Sequence, residues 1–213
     1  MANRAYGQYC GLARAVEILG ERWGLLIVRD LLVGPKRFTD LQRGLPGIPS
    51  NVLTSRLKEL EAAQVVRRRV LPRPAGSIVY ELTEYGQELE DAMIRFGRWG
   101  AKSLGDPHPG EVVTPDSMAM ALRSTFRPEA ADGVRAGYEL RLGDVVVNAR
   151  IHDGTVEAAA EPLPGADCVI EAGPAFRAVM AGEITPDEAV ESGAVRVTGE
   201  RQLFDRFAKM FRI

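Results

Sequence analysis

Residues 49–63 read PSNVLTSRLKELEAA, and the reading of this stretch decides how the residues around it are understood. Ser50 has the side chain of a helix N-cap. Leu53, Leu57 and Leu60 then recur at i, i+4 and i+7, which predicts one buried stripe at helical period. The opposite side carries Asn51, Thr54, Ser55 and Lys58, with Arg56 on the flank. Hydroxyls, an amide and cations are the groups that bond base edges and phosphates. Glu59 and Glu61 come late, so the first turns are neutral to basic. That arrangement suits a helix entering the major groove by its N-terminal end. An amphipathic helix with a polar face is most often an ordinary surface helix, so the reading rests on its neighbours.

Upstream, Thr39-Asp-Leu-Gln42 has capping-box spacing and predicts a short helix starting at Thr39. It carries Leu41 and Leu45 inward and stops at Leu45-Pro46-Gly47. Two short helices joined by a glycine-containing turn match a helix-turn-helix. Before it, Cys10 to Leu19 reads as a helix with Leu12, Val16 and Leu19 on one face, ended by Gly20. Trp23 to Leu32, WGLLIVRDLL, is apolar nearly all round and predicts a buried central helix. Downstream, Val65–Val70 and Ile78–Leu82 read as strands around the turn Pro72-Arg73-Pro74-Ala75-Gly76. A hairpin directly after a recognition helix is a wing. Arg67, Arg68, Arg69 and Arg73 would give it phosphate or minor-groove contacts; the plain alternative is a solvated basic strand. Thr83 caps a long helix running to about Ser103. Its stripe of Leu89, Met93, Phe96 and Trp99 is expected to form a dimer interface.

The 213 residues suggest one or two domains. Residues 1–105 carry a net +5 and residues 106–213 a net −7, so a polyanion partner belongs to the first half. No apolar run approaches the roughly 20 residues that span a bilayer. The N-terminus, MANRAYGQYCGLARAV, lacks the pattern of a signal peptide. Two cysteines, Cys10 and Cys168, make no disulfide framework, and a reducing cytoplasm is the expected location. His108 and His152 have no metal-ligand neighbours at the right spacing. No phosphate-binding glycine motif or Ser/His/Asp set stands out. No catalytic residue, metal or cofactor is therefore expected. The rival classes are an enzyme without a motif and a protein-binding adaptor.

Residues 9–104 resemble the HxlR-type winged-helix transcriptional regulators, relatives of the MarR group. The matching segments are Cys10 with Ala13-Arg14-Ala15, Gly20-Glu21-Arg22-Trp23, Leu25-Leu26-Ile27 with Arg29-Asp30-Leu31-Leu32, Gly34-Pro35 with Arg37-Phe38, Leu45-Pro46-Gly47-Ile48, Leu53-Thr54 with Arg56-Leu57 and Leu60, and Tyr80 with Leu82-Thr83 and Gly86. The resemblance implies a homodimer on double-stranded DNA with an inverted-repeat operator, often acting as a repressor. It assigns the recognition role to Ser50, Asn51, Thr54, Ser55 and Arg56 and the wing to 69–77. With Arg37, Lys58, Arg69 and Arg73 these make up the expected DNA contacts. Some relatives use a cysteine at the position of Cys10 as a thiol switch. A sensor needs a low pKa and exposure. Arg14 lies one turn on, but the available partners are a second Cys10 or Cys168 in an apolar strand. A structural role is therefore expected for Cys10, with redox sensing as the alternative.

Residues 105–114 form a Pro/Gly-rich linker between domains at 1–104 and 115–213. The second half reads as a helix from Pro115 to Phe126, then strands at Tyr138–Leu142, Val145–Ile151, Val156–Ala160, Cys168–Glu171 and Val195–Val197. Hairpin turns fall at Gly143-Asp144 and Asp153-Gly154. A short helix spans Pro174 to Ala181, and Thr185-Pro-Asp-Glu188 is a capping box. An apolar helix ends the chain. The block from Ala166 to Phe211 looks like a sterol-carrier-protein domain, an α+β fold with a mainly antiparallel sheet and an apolar tunnel. The whole chain is thus α+β. The resemblance implies an apolar small-molecule ligand, for which Phe176, Met180, Phe207, Met210 and Phe211 are the expected lining. The alternative is a filled core serving assembly.

Overall fold

The computed structural model describes residues 5–72, 76–105, 107–173 and 176–213. By internal contacts it forms two compact units, Met1–Met93 and Ile94–Ile213.

The first unit is built on helices α1 (Gly11–Leu19), α2 (Gly24–Val33), α3 (Phe38–Gly44) and α4 (Ser50–Ala62), then strands β1 (Val66–Val70) and β2 (Ile78–Leu82). Leu53, Leu57 and Leu60 of α4 are buried with Ile27, Val28 and Leu31 of α2 and with Leu41 and Leu45. The stripe expected from spacing is thus the one that packs. The central helix is not buried all round: Leu26 stays 39% exposed. Two of the expected helix caps, Thr39 and Ser50, are helical residues instead. Ser50 is the first helical residue and Pro49 is the cap. Proline's locked φ suits the half-in residue, and its carbonyl accepts the Leu53 N–H at 3.0 Å. The α3 helix starts at Phe38 rather than Thr39. Its first turn is closed by Asp40, whose carboxylate accepts the Arg37 N–H at 3.3 Å.

The expected helix from Thr83 to Ser103 is two helices, α5 (Glu84–Gln87) and α6 (Glu90–Ala101). Thr83 caps α5, its Oγ1 accepting from the Gly86 N–H at 3.0 Å. Gly86 is buried so closely that a Cβ there would lie 2.2 Å from the Val65 carbonyl oxygen. That anchorage turns the chain at Glu88-Leu89, where Leu89 N–H reaches back only three residues, to Gly86.

The second unit contains α7 (Pro115–Thr125), a five-stranded sheet, α8 (Phe176–Ala181), α9 (Pro186–Glu191) and α10 (Arg201–Met210). The strands β3 (Arg135–Leu142), β4 (Val145–His152), β5 (Thr155–Ala159), β6 (Cys168–Ala172) and β7 (Val195–Gly199) lie in the order β5-β4-β3-β6-β7. Every neighbouring pair is antiparallel except β3 with β6, so the sheet is mainly antiparallel, as expected. The expected start of α8 at Pro174 lies outside the described residues. The division between units falls inside α6, ahead of the Pro/Gly stretch at 105–114. The reason is local: Arg98 of α6 donates from Nε to the Ser124 carbonyl at 2.8 Å and from Nη2 to the Phe126 carbonyl at 3.1 Å. These bonds satisfy carbonyls at the end of α7 that have no partner within the helix.

Candidate nucleic-acid interface

On α4, Ser50, Asn51, Thr54 and Lys58 are exposed on the side opposite the buried leucines. The Thr54 hydroxyl donates to the Ser50 carbonyl at 2.8 Å, and Ser55 donates to Glu59 at 3.2 Å. Ser50, Asn51 and Lys58 therefore carry the outward polar groups of this face. Arg56 is different. Its Nη1 is bonded to Glu59 and its Nη2 lies 3.9 Å from Glu21, and only 21% of the side chain is exposed. Its fork is directed at carboxylates of the protein. Arg37 is exposed at the start of α3. Beside the start of α4 a groove of about 300 Å³ is lined by Glu21, Arg22, Trp23, Pro49, Val52 and Arg56. Trp23 caps α2 in the left-handed region, φ 81°, with the Arg22 guanidinium 5.1 Å over its ring.

β1 pairs with β2 in the register Arg67↔Glu81, Arg68↔Tyr80, Arg69↔Val79. Arg67 and Arg69 both bond Glu81, and Arg68 bonds Glu61 at the end of α4. The Glu81 carboxyl is held below the usual carboxylate range, first by the Arg69 hydrogen bond and also by Arg67. The expected contact at Arg73, at the hairpin tip, lies outside the described residues. Sequence reading did not identify Glu21, Glu59, Glu61 or Glu81 as partners. Two were within its reach: Glu59 follows Arg56 at i+3 on one helix face, and Glu81 falls opposite Arg67 once the two strands are paired.

The aromatic stripe is divided. Leu89 and Met93 pack against the core of the first unit. Phe96 and Trp99 are 56% and 69% exposed and stack on each other at 5.8 Å. In α1, Leu12 is 74% and Val16 39% exposed, and only Leu19 of the expected face is buried. Cys10 is exposed at the head of α1, and the amides of Ala13 and then Leu12 draw its thiol pKa down.

In the second unit the expected ligand lining is buried throughout. Phe207 lies 4.3 Å from the Phe211 ring, 5.3 Å from Tyr138 and 5.9 Å from Phe176. Met180 and Met210 are 4% and 0% exposed. The Tyr138 hydroxyl is buried there without a hydrogen-bond partner among the described residues, and burial pushes its pKa up. A groove of about 590 Å³ lies elsewhere, lined by Glu139, Arg141, Val146, Leu163 and Val169 among others. Among the described residues no group of three or more His, Cys, Asp or Glu could hold a metal ion, and no helix is long and apolar enough to cross a membrane.

A protein family described as HxlR-like helix-turn-helix matches residues 18–107. The HTH-type transcriptional regulator YvaP of Bacillus subtilis (strain 168) is 40% identical over 94 residues, covering 44% of this chain and 86% of YvaP. YodB of the same organism, also an HTH-type transcriptional regulator, is 37% identical over 99 residues, covering 46% of this chain and 86% of YodB. Among solved structures, the redox regulator HypR in its oxidized form is 30% identical. It covers 45% of this chain and 99% of HypR, with a TM-score of 0.42.

Proposed function

Because this chain belongs to the HxlR-like helix-turn-helix family, we propose that it is a homodimeric repressor whose α4 helices read an inverted-repeat operator. The family and these relatives are DNA-binding transcriptional regulators rather than enzymes. The observation that carries the reading is the pairing of an exposed Asn51/Lys58 face on α4 with the arginine-bearing hairpin that follows it. Residues 1–104 then serve DNA binding and dimerisation, 105–114 a linker, and 115–213 a sterol-carrier-like second domain. Phe96 and Trp99 are apolar surface that a second copy would cover, and so, on the first unit, are Leu12 and Val16. Selection of duplexes from a random pool, followed by footprinting, tests this. Two protected half-sites are expected. Asn51→Ala should lose about 1–3 kcal/mol of discrimination, and Arg69→Ala should weaken binding to every sequence. Phe96→Glu should give monomers. Unchanged selection by the Asn51 variant removes α4 from the recognition role.

A second reading concerns Cys10. Its exposure and lowered thiol pKa meet the two requirements of a thiol sensor. Operator release by mild peroxide, abolished in Cys10→Ser, supports it, whereas release that persists in that variant excludes it. For the second domain, the packing of the Phe207 ring on Phe211 and Phe176 favours an assembly role over an apolar ligand tunnel. Uptake of an apolar dye by the folded chain, reversed in Met180→Trp, would restore the ligand reading.

A further inference from the structure

The three described arginines of the wing are attached in one way. Arg67 Nε donates to Glu81 Oε1 at 2.9 Å, Arg69 Nε to Glu81 Oε2 at 2.7 Å, and Arg68 Nε to Glu61 Oε1 at 2.7 Å. Each oxygen of Glu81 thus serves one guanidinium. The register puts Arg67 directly opposite Glu81, and Arg69 lies on the diagonal nearer the tip, within reach of a long side chain. The Glu81 side chain is 12% exposed, against 66% for Arg67 and 43% for Arg69. A guanidinium has five N–H donors, so one gripped at Nε keeps terminal NH₂ groups for a further acceptor. Arg56 provides the contrast, because it meets Glu59 and Glu21 through Nη1 and Nη2.

We infer that Glu81 is a positioning residue for DNA binding, holding Arg67 and Arg69 side by side with their terminal nitrogens outward and making the two count as one net cation. The inference rests on the proposed reading that the wing meets DNA. Two consequences follow from the geometry. The forks sit at i and i+2 of one strand, about 7 Å apart along it, as an oriented pair rather than two loose cations. The single carboxylate also cancels one of the two charges. Backbone affinity scales with the phosphates neutralised, and every sequence shares it. Glu81 therefore lowers binding to any DNA while fixing the pair's register, which favours discrimination over grip. The structural alternative is an exposed cross-strand ion pair that contributes only to hairpin stability. That role would move the melting temperature but not the salt dependence of DNA binding.

The test uses the full chain as wild type, Glu81→Gln and Glu81→Asp. The probes are a duplex recovered by the wild type from a random pool and mixed-sequence genomic DNA, each titrated across a salt series. On mixed-sequence DNA, Glu81→Gln is expected to steepen the slope of log K against log salt by about 0.9 per wing, about 1.8 for the homodimer, equivalent to about sixtyfold tighter binding at 0.1 M for the same 1 M extrapolation. Its preference for the recovered duplex falls. Glu81→Asp keeps the charge and the wild-type slope. A Glu81→Gln chain with wild-type slope and preference overturns the inference. So does equal weakening on both DNAs, in both variants, with a lower melting temperature. A folded wild type that binds neither DNA fails at the earlier step and removes the DNA-binding reading itself.

Discussion

Arginine and glutamate meet on strands in both units, with opposite outcomes. In the wing, two arginines share one carboxylate, Glu81, and both stay well exposed. On the five-stranded sheet the partners alternate: Glu139 with Arg141 at 2.6 Å, Arg141 with Glu171 at 3.3 Å, and Glu171 with Arg196 at 3.5 Å. There two cations meet two anions. The segment after β5 also folds over them, Leu163 N–H donating to Glu139 Oε2 at 2.6 Å and Gly137 N–H to Asp167 at 2.7 Å. Burial alone would push the Glu139 carboxyl up, but the Leu163 amide and Arg141 outweigh it and the pKa falls. The lesson is that the residue types do not fix the role. The ratio of cations to anions, and whether a backbone donor closes the site, separates a surface left open to a polyanion from one satisfied internally.

The sharpest test of the closed unit is its aromatic core. Phe207→Ala should cost about 3–5 kcal/mol in denaturant unfolding, because the ring touches three others and leaves a cavity. A loss below about 1 kcal/mol would mean the ring borders open space, and the ligand reading would return. Next comes the direct contrast between the two carboxylates. Glu139→Ala strips the part-buried Leu163 amide of its acceptor and should cost about 1–3 kcal/mol, whereas Glu81→Ala should cost about 0–1 kcal/mol. The pH dependence follows from the lowered pKa. The folded Glu139 carboxyl titrates below its unfolded value, so its contribution is complete at neutral pH. It is lost as pH falls through the ordinary carboxylate range to the folded value. Equal costs at the two glutamates would erase the distinction drawn here.

A smaller effect is expected at Tyr138. Its hydroxyl is buried without a partner among the described residues, so Tyr138→Phe should leave stability unchanged or raise it by up to about 1 kcal/mol in a thermal melt. A clear loss would show that the hydroxyl has an acceptor in solution. The cysteines give the mildest comparison, with no stability change at all. Cys10 should be alkylated by iodoacetamide at a lower pH than a free cysteine. Cys168, buried and pushed up to about 11, should react only on unfolding. Equal rates at the two thiols in the folded chain would contradict both environments.

Local patterns determined much of this protein. The spacing of Leu53, Leu57 and Leu60 placed α4 and its buried side. Gly143-Asp144 and Asp153-Gly154 placed the hairpins of the sheet, and Thr185 with Glu188 placed the start of α9. Periodicity, turn chemistry and capping act over a few residues, so they are written in the sequence. Tertiary structure decided what depends on distant partners. Only packing against the Val65 carbonyl fixed Gly86 and divided the helix after Thr83. Only the fold brought Glu21 to Arg56 and Asp167 to Gly137, and only the fold buried the Tyr138 hydroxyl while Cys10 stayed in the open. A side chain's type and spacing are local, but the donor, acceptor or solvent that it meets is set by segments far away in the chain, and that meeting determines whether an arginine is free to hold DNA.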